Sequence, residues 1–228
     1  MRVFSVKKES IIFVVCIGIV LGSLINSIGN EICPTFSMPL SNKIILIDAG
    51  HGGWDPGKVA ANNILEKNVN LDIAKKLQEY LQQSGAFVLM TRSDDEALGE
   101  KKMKDMRNRK EISNSTNADM LISIHQNSFA EEKIKGAQVF YYKKSESGKK
   151  LAEFIQAQFK KNIDANNNRV AKINSDYYIL KQIKIPSVIV ECGFLSNNDE
   201  LNKLTNSDYQ NKIAWAIYLG ILDYYGSK

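Results

Sequence analysis

Four short apolar runs constrain the fold of this 228-residue chain more than any other feature of its sequence. They lie at residues 43–48 (KIILID), 87–91 (FVLMT), 120–124 (MLISI) and 187–192 (SVIVEC). Each run is apolar at consecutive positions, which is typical of strands that are buried on both faces of a parallel sheet. Because helical segments separate these runs, the sequence predicts an α/β fold with a mostly parallel sheet and helices on both faces.

The segments between the runs have helical or extended patterns. The predicted helices span residues 67–84, 104–116, 147–162 and 207–225, and a further strand spans residues 136–142. Three of these helices carry apolar residues at helical spacing, and the polar segment 104–116 is expected to cover the sheet. Ligands of such open sheets bind beyond the carboxyl ends of the strands, so we expect the functional residues at that edge.

Residues 1–30 form a separate N-terminal segment. Lys7 and Lys8 precede an almost unbroken apolar run at residues 11–25 (IIFVVCIGIVLGSLI). A basic start followed by about 15 apolar residues is typical of a signal peptide, whereas a stable transmembrane helix usually needs about 20 residues. We therefore expect an apolar helix that is either a cleaved signal peptide or a membrane anchor. In both cases the rest of the chain is exported, because positive residues stay inside.

Composition bounds the remaining chain. The two prolines and missing periodicity of residues 31–42 predict a linker, and residues 43–228 have the length of one domain. The formal charge of +5 is too small to indicate a nucleic-acid partner. Three cysteines are too few for a disulfide framework. Cys33 and Cys192 have no spacing that indicates a bridge, and we expect Cys192 to be a small buried side chain.

Three of the predicted strands end at a residue whose side chain can bind a metal or transfer a proton. His51 follows KIILIDAG, His125 follows MLISI, and Glu191 follows SVIV. The chain has no other histidine, and both histidines lie at strand ends that meet at one edge of the sheet. Glu66, at the start of the first helix, is within reach of the same edge. By itself, Glu66 is also explained as a favourable charge at a helix N-terminus, and Glu191 as half of an ion pair.

Two histidines and one carboxylate are a common ligand set for catalytic zinc, with a fourth position left for water. A general base must then take a proton from that water, and a second carboxylate outside the ligand set is the usual choice. Glu191 fits this role, because burial at the end of a strand raises the pKa of a carboxyl group toward neutrality. The pattern therefore predicts a zinc hydrolase.

Five ordered motifs carry a resemblance to a known family. They read IILIDAGHGGWDPG, EKNVNL, TRSDD, RKEISNSTNADMLISIHQNS and IPSVIVECGFLSNNDE. Over residues 43–225 the chain resembles the zinc-dependent N-acetylmuramoyl-L-alanine amidases of the type-3 class. The resemblance implies a phosphorylase/hydrolase-like α/β fold with one Zn²⁺ per chain. It places the metal ligands on His51, Glu66 and His125 and the catalytic glutamate on Glu191.

The resemblance also implies a substrate and a setting. The substrate is the amide that joins the lactyl group of muramic acid to L-alanine in peptidoglycan. The HGGWDPG motif behind an apolar N-terminus looks most like the amidases of spore-forming bacteria, which prepare the spore cortex for muramic δ-lactam formation. Asp48 either orients a metal-bound histidine or is an ordinary strand-end residue. Asn127 either donates to the peptide stem or is a turn residue after the strand.

The remaining expectations concern access to the predicted zinc site and the partners of the domain. Ten residues separate His125 from Gly136, too few for the inserted helix that blocks the zinc in some relatives, so we expect an open crevice. Without a recognisable wall-binding repeat, targeting to peptidoglycan depends on the membrane-directed segment, an activating protein or the domain itself. The eight lysines of residues 133–161 form either a docking face or a solvated surface.

Two other functions remain open at this point. An exported zinc peptidase that cuts within the peptide stem of peptidoglycan needs the same metal, water and base. A non-catalytic wall-binding protein is the second alternative, and the presence of all four site residues argues against it.

Overall fold

The computed structural model of the protein describes residue 17 and residues 38–227. Apart from residue 17, the predicted signal peptide or anchor at residues 1–30 lies outside the described residues, as does most of the linker at residues 31–42. The chain divides into two units, residues 1–37 and 38–228, and the fold given below is that of the second. Within the described part, no helix combines the length and apolar character needed to cross a membrane.

A six-stranded sheet forms the centre of the fold. Its strands are β1 (Ile44–Ala49), β2 (Phe87–Met90), β3 (Met120–Asn127), β4 (Gln138–Tyr141), β5 (Lys172–Ile173) and β6 (Ser187–Phe194). Their order across the sheet is β2-β1-β3-β6-β4-β5. Strands β4 and β6 pair antiparallel, and every other neighbouring pair is parallel. The prediction of a mostly parallel sheet is therefore confirmed.

Helices cover both faces of this sheet. They are α1 (Glu66–Gln83), α2 (Lys102–Ser115), α3 (Glu146–Asn162), α4 (Tyr178–Gln182), α5 (Asn198–Leu204) and α6 (Ser207–Gly226), with a short 3₁₀ helix at Ala61–Asn63. Apolar side chains of α1, α3, α5 and α6 pack with the sheet into the larger core cluster. Side chains of α2 and α4 pack into a second cluster that contains Leu46, Leu121 and Ile189. The predicted two-sided cover is confirmed.

Two strands extend beyond their predicted ends, and both extensions matter for the site. Strand β3 continues to Asn127 and β6 to Phe194, because the parallel pairing of these strands carries on past the apolar runs. His125 and Glu191 lie opposite each other in this ladder, and the register shifts between His125 and Asn127. No sequence pattern predicts β5, α4 and α5, because elements of two to seven residues are too short to show periodicity.

Cys192 is buried, which confirms the expectation from its place in the strand. Cys33 lies outside the described residues, so the question of a bridge to it stays open.

Candidate metal centre

Three side chains from separate elements meet at the carboxyl end of the sheet. His51 follows β1 in a left-handed conformation (φ 61°), Glu66 begins α1, and His125 lies in β3. Oε1 of Glu66 is 3.2 Å from Nε2 of His51 and 3.1 Å from Nδ1 of His125. All three donor atoms lie within 4.8 Å of one another. Neighbouring ligands of a tetrahedral zinc are about 3.4 Å apart, so the two close pairs are already near that separation.

A tight turn after β1 orients the His51 ring. Gly52 and Asp55 form an antiparallel bridge, which brings Oδ2 of Asp55 to 2.9 Å from Nδ1 of His51. With the proton on Nδ1, the ring donates to Asp55 and the lone pair of Nε2 is free for a metal. Burial opposes protonation of His51, but Glu66 and Asp55 outweigh it and raise the pKa of the ring. Asp55 was not among the predicted site residues, although its position four residues after His51 in HGGWD is a signal for such a contact.

Two glycines give these side chains room. A Cβ on Gly50 would stand 2.2 Å from the His125 ring, so this ring packs directly on the backbone that follows β1. Gly57 has φ +66°, and a Cβ there would stand 2.5 Å from Oε2 of Glu66. Larger residues at either position would displace a predicted ligand.

Glu66 is buried and held at both carboxylate oxygens. Its Oε2 accepts from the backbone N–H of Lys58 at 2.8 Å, and its Oε1 accepts from the backbone N–H of Gln126 at 3.2 Å. Burial disfavours the charge, but the close contacts with His125 and His51 outweigh it and hold the pKa of Glu66 well below its usual range. Glu66 is therefore ionised and oriented as a metal ligand must be.

Glu191 has the opposite environment. Its side chain is buried opposite His125, and Oε1 accepts from the phenol of Tyr177 at 3.3 Å. Oε2 is buried without a hydrogen-bond partner among the residues that the structure describes. Burial raises the pKa of this carboxyl group to about 7. A carboxylate oxygen with no partner beside the ligands is a suitable proton acceptor.

The hydrogen bonds of Asp48 do not support the first of its two expected roles, the orienting of a histidine. Its carboxylate accepts from Thr91 at 2.8 Å, from Ser123 at 2.6 Å and from Arg109 at 2.6 Å. Within the described part of the chain, no hydrogen bond joins Asp48 to either histidine, because these three donors occupy its oxygens. Burial disfavours the charge on Asp48, but Arg109 outweighs it and lowers the pKa to about 2.

Two buried arginines hold the backbone after β1. Neither was among the predicted site residues. Arg109 donates to the carbonyl oxygens of Ala49 at 2.9 Å and of His51 at 2.6 Å. Arg92 donates to the carbonyl oxygens of Ala49 at 2.9 Å and of Gly50 at 3.0 Å. Their guanidinium groups therefore fix the loop that carries His51. Both arginines lie within motifs of the predicted family, TRSDD and RKEISNS, which was the only signal available.

A crevice of about 290 Å³ adjoins the three predicted ligands. All four predicted residues line it, together with Tyr177, Ile179 and Ile189. The side chains of His51 and His125 remain 16% and 23% exposed. Residues 128–137 join β3 to β4 without a helix, as expected.

Asn127 ends β3 instead of following it and is not among the residues that line the crevice. Its Oδ1 accepts from the backbone N–H of Ser128 at 2.8 Å. A contact between Asn127 and the substrate therefore stays a prediction.

Two histidines and a carboxylate at the sheet edge form a candidate metal site beside a second carboxylate that can accept a proton, an arrangement typical of hydrolases that use a metal ion. The family model described as N-acetylmuramoyl-L-alanine amidase (Amidase_3) matches residues 45–223. The chain belongs to this family, which makes it an enzyme that acts on an amide of peptidoglycan.

Individual relatives agree with this assignment. The chain is 40% identical over 207 residues to the germination-specific N-acetylmuramoyl-L-alanine amidase of Bacillus subtilis (strain 168), covering 87% of this chain and 86% of that protein. The structure of the CwlD amidase from Clostridioides difficile, in complex with the GerS lipoprotein, matches with a TM-score of 0.80 and 45% identity, covering 82% of this chain and 100% of that chain. An N-acetylmuramoyl-L-alanine amidase from Clostridium difficile 630 matches with a TM-score of 0.74 and 31% identity, covering 82% and 98%.

Proposed function

We propose that the chain hydrolyses the amide between the lactyl group of muramic acid and L-alanine with one Zn²⁺ bound by His51, Glu66 and His125. The observation that carries this proposal is the approach of the two ring nitrogens to Oε1 of Glu66, at 3.1 and 3.2 Å, beside the partnerless oxygen of Glu191. Two imidazoles and one carboxylate suit zinc and leave a position for water.

The residues of the chain have distinct tasks in this reaction. Zinc, when bound, polarises the amide carbonyl and lowers the pKa of a water molecule. Glu191 accepts the proton of that water at Oε2 and then delivers it to the departing alanine nitrogen. Burial, which raises the pKa of Glu191 in the metal-free site, favours its taking up a proton. Asp55 keeps the Nε2 lone pair of His51 available, and Arg109 holds the backbone of His51 in place.

We also propose the setting of this activity. Residues 1–30, as a signal peptide or an anchor, export the domain to the side of the membrane where peptidoglycan lies. A role in preparing the spore cortex is supported by the similarity to a germination-specific amidase. A protein partner is supported by the C. difficile CwlD amidase, whose structure was solved with the GerS lipoprotein, and we propose that such a partner activates the enzyme.

The test uses the purified, zinc-loaded protein and defined muropeptides, with the products identified by mass spectrometry. An amidase releases the intact peptide stem with a free L-alanine amino group and leaves a free lactyl carboxylate. An exported zinc peptidase shortens the stem instead. A non-catalytic wall-binding protein binds the polymer and releases neither product.

Two variants separate the ligands from the base. His125→Ala should lose zinc in elemental analysis while its circular dichroism spectrum stays that of the parent. Glu191→Gln should keep zinc and lose about 10²–10⁴-fold in turnover, because only the proton acceptor is removed. Full zinc content in the first variant would exclude the proposed ligand set, and zinc loss in the second would make Glu191 a ligand.

A further inference from the structure

The carboxylate of Glu191 has fewer partners than the other buried carboxylates of the site. Glu66 and Asp48 each accept three or more hydrogen bonds that occupy both of their oxygens. In the described part of the chain, Glu191 accepts one, from the phenol of Tyr177 to Oε1 at 3.3 Å. The single donor on Oε1 favours one orientation of the carboxylate and leaves Oε2 as the proton acceptor.

The sheet itself places the Tyr177 phenol. Oδ1 of Asn174 accepts from the backbone N–H of Tyr177 at 2.9 Å, and the backbone N–H of Asn174 donates to the carbonyl oxygen of Tyr141 in β4 at 2.9 Å. The Tyr177 ring also meets the ring of Phe140, in the same strand, edge to face at 5.7 Å. Strand β4 pairs with β6, which carries Glu191. These contacts fix Tyr177 to β4, which lies beside β6, the strand that carries Glu191.

We infer that Tyr177 is a positioning residue, which holds Oε1 of Glu191 so that Oε2 receives the proton. This inference rests on the proposed function of Glu191 as the general base. Tyr177 acts through Glu191 and not on the reacting atoms. Burial raises the pKa of Tyr177, so the phenol stays protonated and remains a donor throughout the working pH range.

The test compares Tyr177→Phe with a matched control. Tyr177→Phe keeps the ring and its contact with Phe140 and removes only the donor. Tyr142→Phe is the control, because Tyr142 packs against the same apolar cluster as Tyr177 and lies outside the crevice lining. We expect kcat of Tyr177→Phe to fall about 10-fold, as for one lost hydrogen bond to a charged group, with KM within about 2-fold of the parent. Zinc content and the thermal midpoint should equal those of the parent, and Tyr142→Phe should match the parent throughout.

A double variant separates positioning from a general structural role. In the Glu191→Gln background, Tyr177→Phe should cause no further loss of the residual activity, because the base on which it acts is absent. An equal 10-fold loss in both backgrounds would overturn the inference.

Normal turnover of Tyr177→Phe in an otherwise active enzyme would overturn the inference too, as would loss of zinc or a large rise in KM. A zinc-loaded parent that releases no intact stem would instead refute the proposed function, which the muropeptide assay detects independently of Tyr177.

Discussion

A buried carboxyl group with a raised pKa costs the folded protein stability whenever it is ionised, and Glu191 is such a group. Its side chain is 7% exposed, and burial raises its pKa from 4.5 to about 7. The folded protein therefore binds this proton more tightly than the unfolded chain does. The free energy of unfolding falls as the pH rises from about 4.5 through 7. Glu191→Gln should remove this loss and stabilise the metal-free protein at high pH.

The two pKa values give the magnitude of the effect. One pKa unit corresponds to 1.36 kcal/mol, so a difference of about 2.5 units corresponds to about 3 kcal/mol. The advantage of Glu191→Gln should be below about 0.5 kcal/mol at pH 4.5 and reach about 3 kcal/mol at pH 8. For a domain of this size, 1 kcal/mol shifts the thermal midpoint by about 2–4 °C, which predicts an increase of roughly 6–12 °C at pH 8.

Thermal unfolding followed by circular dichroism between pH 4.5 and 8 measures this difference. A chelator must be present, because a bound cation favours the charged carboxylate and offsets its cost. Glu153→Gln is the control, since Glu153 is exposed on α3 and the substitution removes an equal charge without relieving a buried one. A pH-independent difference for Glu191→Gln, or lower stability than the parent at pH 8, would refute the reasoning.

Three further predictions concern the support of the ligands. Asp55→Ala should weaken zinc affinity about 10–100-fold by freeing the His51 ring, as measured by competition with a chelating dye; unchanged affinity would contradict this orienting role. Arg109→Met should lower the free energy of unfolding in urea by about 3–5 kcal/mol, because buried carboxylates lose their partner; a loss below about 1 kcal/mol would contradict it. Gly57→Ala should reduce zinc content in elemental analysis, because its Cβ would meet Glu66 at 2.5 Å; full zinc occupancy would show that the loop relaxes.

Much of the fold and the centre of the site could be predicted from the sequence by itself. Consecutive apolar residues predict buried parallel strands, and the ends of such strands meet at one edge whatever their order. The sequence therefore predicts that His51, His125 and Glu191 lie close together. Glu66 followed, because it begins the helix after the first strand. The positions of these four residues depend on the type and order of the secondary-structure elements, and short-range sequence patterns predict both.

The partners of these residues were decided only by the tertiary structure. Asp48 was expected either to orient a histidine or to be an ordinary strand-end residue, and its carboxylate instead accepts from Arg109, 61 positions away in the chain. Tyr177 reaches Glu191 because β4 lies antiparallel beside β6 and anchors the segment before α4. Local sequence predicts that a segment forms a strand, but not which strand it pairs with, because pairing depends on contacts between distant segments. This pairing of strands decides which donor reaches each buried carboxylate oxygen. It therefore also decides which oxygen is left free to accept a proton.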